Sequence, residues 1–402
     1  MKFKMVNISM TIILLTTGAC CLYLLTPIKE NVSFDNKSID RFIEDKMTQT
    51  GIVGISASII IDKKVVWTNG YGYADREKKL PFTPTTVINI ASISKTFTGV
   101  CLMKAVEQNK VKLDEDINSY LPFKIVNPNF PNEKITLRHL ATHTSGLVDR
   151  NSFYEDSTYV YGGSKPESLG EFLRNYFVKG GKYYSKSNFL ISKPGKNYAY
   201  SNISTGLAGY IIELATGQKL HEYSRKYIFE QLAMMNSGWS LSEVNTEINS
   251  KLYRKQGVRI KEIQFYECPT YPANGVRTSV EDLSKYFICL LNDGELNKQR
   301  ILSKELAKEM TRFQFTESKK PNNVNLNSLN SGIFWATKED ATRIGHNGFD
   351  PGVRTYMLSD FNKEVAVIVF FNTELPEKER SFYSEIYRKL YDYGVILRKT
   401  SH

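Results

Sequence analysis

Hydrophobic and polar residues keep a period of two near the start of the folded chain, a helical period through its middle, and a period of two again towards its end. Residues 51–75, "GIVGISASIIIDKKVVWTNGYGYAD", hold two β-rich runs split by the polar Asp62-Lys63-Lys64, which predicts a hairpin. From Ser92 the spacing changes: Phe97, Val100, Cys101, Met103 and Val106 keep one apolar face until Asn109 and Lys110 close it, which predicts a helix. Upstream, the polar "IKENVSFDNKSID" reads as a linker entering a first helix around 40–49. The middle, about 113–290, alternates helical patterns with polar loops, among them the Tyr/Ser/Gly-rich "DRNSFYEDSTYVYGGSKPES". The last hundred residues return to strands in "TRIGHNGFD", "RTYMLSD" and "EVAVIVFFN", then close with a helical "ERSFYSEIYRKLYDYGVIL". Strands at both chain ends with helices between predict an α+β fold: one antiparallel sheet built from both ends, flanked by helices, beside a mainly helical lobe. A cleft between the lobes is the natural place for a site.

Composition narrows this picture. With 402 residues, 41% of them hydrophobic, the chain can bury one large core or two intimate subdomains. Three parts are expected: a targeting segment at 1–30, a linker and helix entry at 31–45, and the folded domain at 46–402. The net charge of +11 is spread without an arm or stripe, so it reads as solubility and nucleic acid is not an expected partner. In the first part, Lys2 and Lys4 precede an uncharged stretch of roughly twenty residues, the length that spans a hydrocarbon core. This predicts export by a cleaved signal peptide, a retained membrane anchor, or a lipid-modified Cys20 or Cys21. Apolar residues on both sides of the Cys pair and the lack of a clean small-x-small cleavage site favour the anchor, with the bulk of the chain in the extracytoplasmic envelope. Cys101, Cys268 and Cys289 are too widely spaced for a metal pair or a disulfide framework, although one bridge could form. Cys101 and Cys289 read as small buried hydrophobes.

Three short stretches carry candidate chemistry. In "INIASISKTFTGV", Ser92 and Lys95 stand three apart at a helix start, so the amine can reach the hydroxyl. A serine needs a base to become a nucleophile, and a desolvated lysine can be neutral enough to serve. The same tetrad also suits a plain helix start with serine as N-cap. In "PGKNYAYSNISTGLAGYIIELATG", Tyr200 and Asn202 can offer a phenol to relay protons and an amide to hold a carbonyl; the alternative is an aromatic anchor with Asn202 as N-cap. In "RIGHNGFDPG", His346 can act near neutral pH, and Gly348 would let a substrate backbone approach the sheet edge. Ser94 faces away from Ser92's side of the helix, and Ser145 in "THTSGL" lacks both a G-x-S-x-G elbow and a lysine at useful spacing. His139 and His143 are four apart, but no glutamate follows His139, so no zinc site is expected.

These stretches occur in a fixed order with "ITLRHLATHTSGL", "IFEQLAMMNSGW", "NGVRTSVEDLSKYF" and "GHNGFDPG", and together the blocks resemble the serine β-lactamase-like superfamily. The branch resembled holds class C β-lactamases, D-Ala-D-Ala carboxypeptidases, D-amino-acid peptidases and related esterases, over about residues 40–375. The resemblance implies a β-lactamase/transpeptidase-like fold in which Ser92 is acylated, Lys95 helps to deprotonate it and Tyr200 passes the proton to the leaving group. Asn202 would hold the acyl-side carbonyl, and His346 takes the first position of the third motif. The N–H groups of Ser92 and of Phe349, just after Gly348, would form the oxyanion hole.

It further implies two-step acyl transfer on an amide or ester, with no metal or organic cofactor. The substrate ranked first is a small cell-wall-type peptide cut by a D-amino-acid peptidase or carboxypeptidase, then a short-chain ester, then a β-lactam. A reading of another class is a penicillin-binding sensor that is acylated without turnover. Class C β-lactamases usually carry lysine where His346 stands, and a fixed charge suits the β-lactam carboxylate. Arg343 and Arg354 offer two readings, solvated strand residues or a compensating cation.

Overall fold

The computed structural model describes residues 36–401, so the expectations for the first thirty residues, Cys20 and Cys21 included, lie outside it. Among the described residues no helix is long and apolar enough to cross a membrane. The first helix, α1, runs Asn36–Thr50 and starts earlier than the hydrophobic pattern suggested.

The hairpin forms as expected, from β1 (Gly54–Ile61) and β2 (Lys64–Asp75). Asp62 and Lys63 both take left-handed φ, 47° and 65°, the two-residue turn whose twist matches the strands it joins. A short β3 (Leu80–Pro81) follows, and the other strands come from the far end of the chain: β4 (Ala336–Lys338), β5 (Arg343–Asp350), β6 (Val353–Ser359) and β7 (Val365–Phe371). The sheet order is β4-β5-β6-β7-β1-β2-β3, with both chain ends meeting at its centre where Ile55–Ile61 pairs antiparallel with Phe371–Val365.

The two central strands are buried along their whole length, because helices cover both faces. Helices α2 (Ser94–Glu107) and α3 (Asn202–Thr216) pack on each other in the helical lobe, and α4 (Val280–Leu291) covers one face of the sheet, Ser284 donating to the Ser58 hydroxyl at 3.1 Å. On the other, α5 (Ser381–Ser401) approaches so closely that a Cβ at Gly394 would stand 2.9 Å from both Ile59 and Val365. The mixed α+β architecture is thus the one expected. The Tyr/Ser/Gly-rich stretch departs from a plain loop: it contains a helix, Asn151–Ser157, and a strand pair joining Val160–Tyr161 to Tyr266–Glu267. That pairing ties two distant loops into one wall of a cleft.

Candidate active site

Ser92 sits in a tight 3₁₀ turn, Ala91–Ile93, immediately ahead of α2. It does not cap the helix: Ile93 occupies that position and offers no side-chain bond. Ala91 carries φ 48°, a left-handed conformation that costs a non-glycine residue about 1–3 kcal/mol. Asn89 holds it there, its Oδ1 accepting the Ala91 N–H at 2.6 Å while its Nδ2 donates to the Asn274 carbonyl at 3.0 Å.

Lys95 is buried to 0% exposure, and its Nζ lies 3.0 Å from Ser92 Oγ, 2.7 Å from Asn202 Oδ1 and 3.0 Å from the Ala273 carbonyl. Two of these neighbours can only accept. When the amine is neutral, its two N–H groups go to Asn202 and Ala273 and its lone pair is left facing the Ser92 hydroxyl. Burial lowers the lysine below its ordinary value, against the attraction of Asp350 and Asp149. Tyr200 lines the same cleft as Ser92, with its ring 4.9 Å from Lys95 Nζ. Desolvation raises its phenol, so Tyr200 carries its proton at neutral pH.

Asn202 is the first residue of α3, and the cap is Ser201, whose Oγ accepts from Ser204 N at 2.9 Å. Asn202 is therefore free of the capping role and bridges instead, its Nδ2 donating to Asp149 Oδ2 at 3.0 Å. Asp149, which no sequence pattern marks, also takes Ser201 Oγ (2.7 Å), Asn202 N (2.7 Å) and Ile203 N (3.0 Å). A carboxylate on the first N–H groups of a helix satisfies donors that have no partner within it and complements the dipole.

On β5, His346 is 3% exposed with Nδ1 2.7 Å from the Asn347 carbonyl, and burial together with Lys338 and Lys95 holds its imidazole well below its ordinary range, hence neutral. β4 pairs only with Arg343–Gly345, so His346–Asp350 is bonded to a neighbouring strand on the β6 side alone. Gly348 faces the nucleophile turn rather than open space: a Cβ there would stand 2.5 Å from the Ile90 carbonyl and 2.8 Å from Ala91 Cβ. Phe349 follows in the cleft wall.

Ser92, Tyr200, Asn202, His346, Gly348 and Phe349 thus line one cleft of about 710 Å³, with Lys95 directly behind Ser92. Of the two arginines weighed as a compensating cation, Arg354 is in its wall, whereas Arg343 stacks on Tyr391 at 3.6 Å and lines a different cavity. A cation that the sequence reading passed over, Lys338, lines the cleft from β4. The rivals are accounted for: Ser94 Oγ accepts Val276 N, Ser145 lies buried against Ser204, and His139 caps its own short helix with Thr136. The three cysteines of the described chain are free and buried, and no group of residues there could hold a metal ion.

With this geometry in view, the chain belongs to the Beta-lactamase family, whose profile matches residues 39–389. It is 27% identical over 340 residues to "Protein flp" of Staphylococcus aureus (strain COL), covering 84% of this chain and 63% of that one. The chain thus spans just under two thirds of that curated relative. Among solved structures, the octameric penicillin-binding protein homologue from Pyrococcus abyssi superposes with a TM-score of 0.67 at 26% identity, over 84% of this chain and 73% of that one. D-amino acid amidase from Ochrobactrum anthropi SV3 superposes with a TM-score of 0.70 at 23% identity, over 91% and 98%, a likeness of fold.

Proposed function

We propose that the protein is a serine hydrolase that cleaves an amide or ester through a Ser92 acyl-enzyme. The observation that carries this reading is the 3.0 Å approach of Lys95 Nζ to Ser92 Oγ, with the amine's other two directions taken by Asn202 and Ala273. Ser92 gives its proton to Lys95 as Oγ attacks the carbonyl carbon; Tyr200, a neutral phenol, passes a proton to the departing amine or alcohol. The Ser92 N–H, in the first turn of its helix, and the Phe349 N–H are the donors for the developing oxyanion. Water then releases the acyl group.

Within this class a D-amino-acid peptidase or carboxypeptidase acting on small peptides ranks first, supported by the fold shared with D-amino acid amidase and the penicillin-binding protein homologue. His346 in place of a fixed charge supports that order over β-lactam hydrolysis. The uncharged leading segment behind Lys2 and Lys4 supports export and, with it, a substrate in the cell envelope. The test is intact mass after incubation with D-alanyl peptides, short esters and a β-lactam, alongside turnover of each. A transient Ser92 adduct and turnover are expected, both lost in Ser92→Ala. Hydrolysis by Ser92→Ala at the parental rate would refute the reading, and a stable adduct without turnover of any substrate would make the protein a sensor.

A further inference from the structure

A second cavity, of about 320 Å³, lies beside the Ser92 cleft and shares none of its lining residues. Tyr266 stands between the two: it lines the cavity, and its ring meets those of Tyr159 and Tyr161 in the cleft wall at 5.1 and 5.5 Å. A volume of this size with aromatic walls suits a small molecule. The polar groups are layered. Asn274 and Arg277, each 3% exposed, form the floor, whereas Glu243 and Glu267 stand at the partly exposed rim.

The Arg277 guanidinium is engaged by the Trp239, Gly275 and Tyr266 carbonyls at 3.3, 3.0 and 2.8 Å, and Glu243 is paired with Arg225 at 3.1 Å. Two other groups are left without such partners. Asn274 Oδ1 is buried and accepts no hydrogen bond, a cost that a donor inside the cavity would remove. Glu267 accepts the Leu241 N–H at 3.2 Å and forms no ion pair among the described residues. Beside them the Trp239 and Tyr271 rings meet edge to face at 5.6 Å, and the flat Arg277 guanidinium adds a surface on which a ring can stack. A buried acceptor, aromatic walls and a carboxylate at the rim fit a flat ring with an N–H or O–H donor at one end and an ammonium at the other.

The wall Tyr271–Arg277 is also the segment that holds the nucleophile. The Ala273 carbonyl takes Lys95 Nζ, the Asn274 carbonyl takes Asn89 Nδ2, and the Val276 carbonyl takes the Ile90 N–H at 2.9 Å. Asn89 itself lines the cavity while holding Ala91 in its left-handed turn. A ligand that fits the cavity in this conformation can only favour it. This is the conformation in which Lys95 Nζ lies 3.0 Å from Ser92 Oγ.

We propose that the cavity is an effector site for a small aromatic amine, whose ring donor meets Asn274 Oδ1 and whose ammonium pairs with Glu267, and that its occupant speeds acylation of Ser92. The site stands apart from the hydrolase reading above; only the effect on rate rests on it.

Tryptamine is the probe, and indole-3-propionate, the same ring carrying a carboxylate, is its control. Calorimetry on full-length Ser92→Ala should show saturable binding of tryptamine, about fivefold tighter than that of the acid, with Glu267→Gln removing the difference. No saturable binding, or binding of the acid at least as tight, overturns the site. In the parent protein, saturating tryptamine should raise the first-turnover release of p-nitrophenol from p-nitrophenyl acetate about fivefold, after subtraction of the rate with Ser92→Ala. Glu267→Gln should need more amine for the same effect. An unchanged first-turnover rate overturns the effector role, and so does inhibition relieved by p-nitrophenyl acetate, which would put the amine in the Ser92 cleft. Equal release by Ser92→Ala and the parent would refute the hydrolase reading and leave the calorimetric result standing.

Discussion

His143 holds Tyr200 from both sides along the backbone. Its carbonyl accepts the Ala199 N–H at 2.8 Å, its Nδ1 accepts the Ser201 N–H at 3.2 Å, and its ring lies 4.4 Å from the Tyr200 ring between them. The imidazole must be neutral to accept at Nδ1, and burial keeps it so. His143 itself has φ 56°, a conformation that asparagine tolerates better than most residues. His143→Asn should therefore fold, keep an acceptor near Ser201 N and retain part of the activity. His143→Ala should lose about a hundredfold in kcat, the scale of a small displacement of a reacting group. Stopped-flow acylation separates this from a structural role: equal stability loss in both variants with no recovery of rate by asparagine would show that His143 does not position Tyr200.

Charge neighbours of Lys95 set the pH at which it becomes a base. Asp350 and Asp149 favour its charged form, whereas Lys338 and burial disfavour it. Acylation needs the neutral amine, so kcat/KM rises with pH through the lysine's pKa. Asp350→Asn removes a stabilising negative charge and should move this acid limb to lower pH; Lys338→Gln removes a repelling positive charge and should move it higher. Profiles of kcat/KM against pH on an uncharged short-chain ester decide the matter. Shifts of the same sign in both variants would mean that Lys95 does not govern the limb.

What the sequence could reveal followed the range of the interactions involved. The β1–β2 hairpin is decided by Asp62-Lys63 and its flanking strands, and the Ser92–Lys95 approach by one helical turn, so local spacing carried both. Asp149 escaped notice because its partners, Ser201 to Ile203, lie more than fifty residues away and nothing in the residues around it marks a helix cap. Nothing in the sequence marks Lys338, since its place in the cleft follows from the pairing of β4 with β5. Ser201 and Asn202 are both good capping residues, so the local sequence leaves capping by Asn202 open; the fold gives the cap to the serine and leaves the amide for Lys95. The burial of Ala91 in a left-handed turn carries no sequence signal of its own.

Asp149 accepts four hydrogen bonds that fix the start of α3 and one end of Asn202. Asp149→Asn keeps one accepting oxygen and turns an amide N–H₂ towards groups that are themselves donors. It should cost about 1.5–3 kcal/mol, the range for bonds to a charged group, measured by urea unfolding. Acylation should slow as well, because Asn202 would no longer be held against Lys95. Stability loss with an unchanged acylation rate would show that Asn202 is placed by other contacts.

Gly348 is the point where the sheet meets the nucleophile turn. Thr355 on β6 donates its hydroxyl to the Ile90 carbonyl at 3.0 Å, and that carbonyl lies where a Gly348 side chain would begin. An alanine Cβ would meet the Ile90 carbonyl at 2.5 Å, Ala91 Cβ at 2.8 Å and the Thr355 hydroxyl, two of them backbone or Cβ atoms that cannot swing aside. The turn must then lift from the strand, carrying Ser92 away from Lys95 and from the edge of β5. Overpacking of this kind costs about 1–3 kcal/mol, and the displaced nucleophile should lower kcat/KM by about a hundredfold. Thr355→Val removes the hydroxyl donation without adding bulk at Gly348 and should lose less of both. Thermal unfolding and acylation rates of the two variants give the comparison. If Gly348→Ala acylated as fast as the parent, the contact between strand and turn would not be what places Ser92.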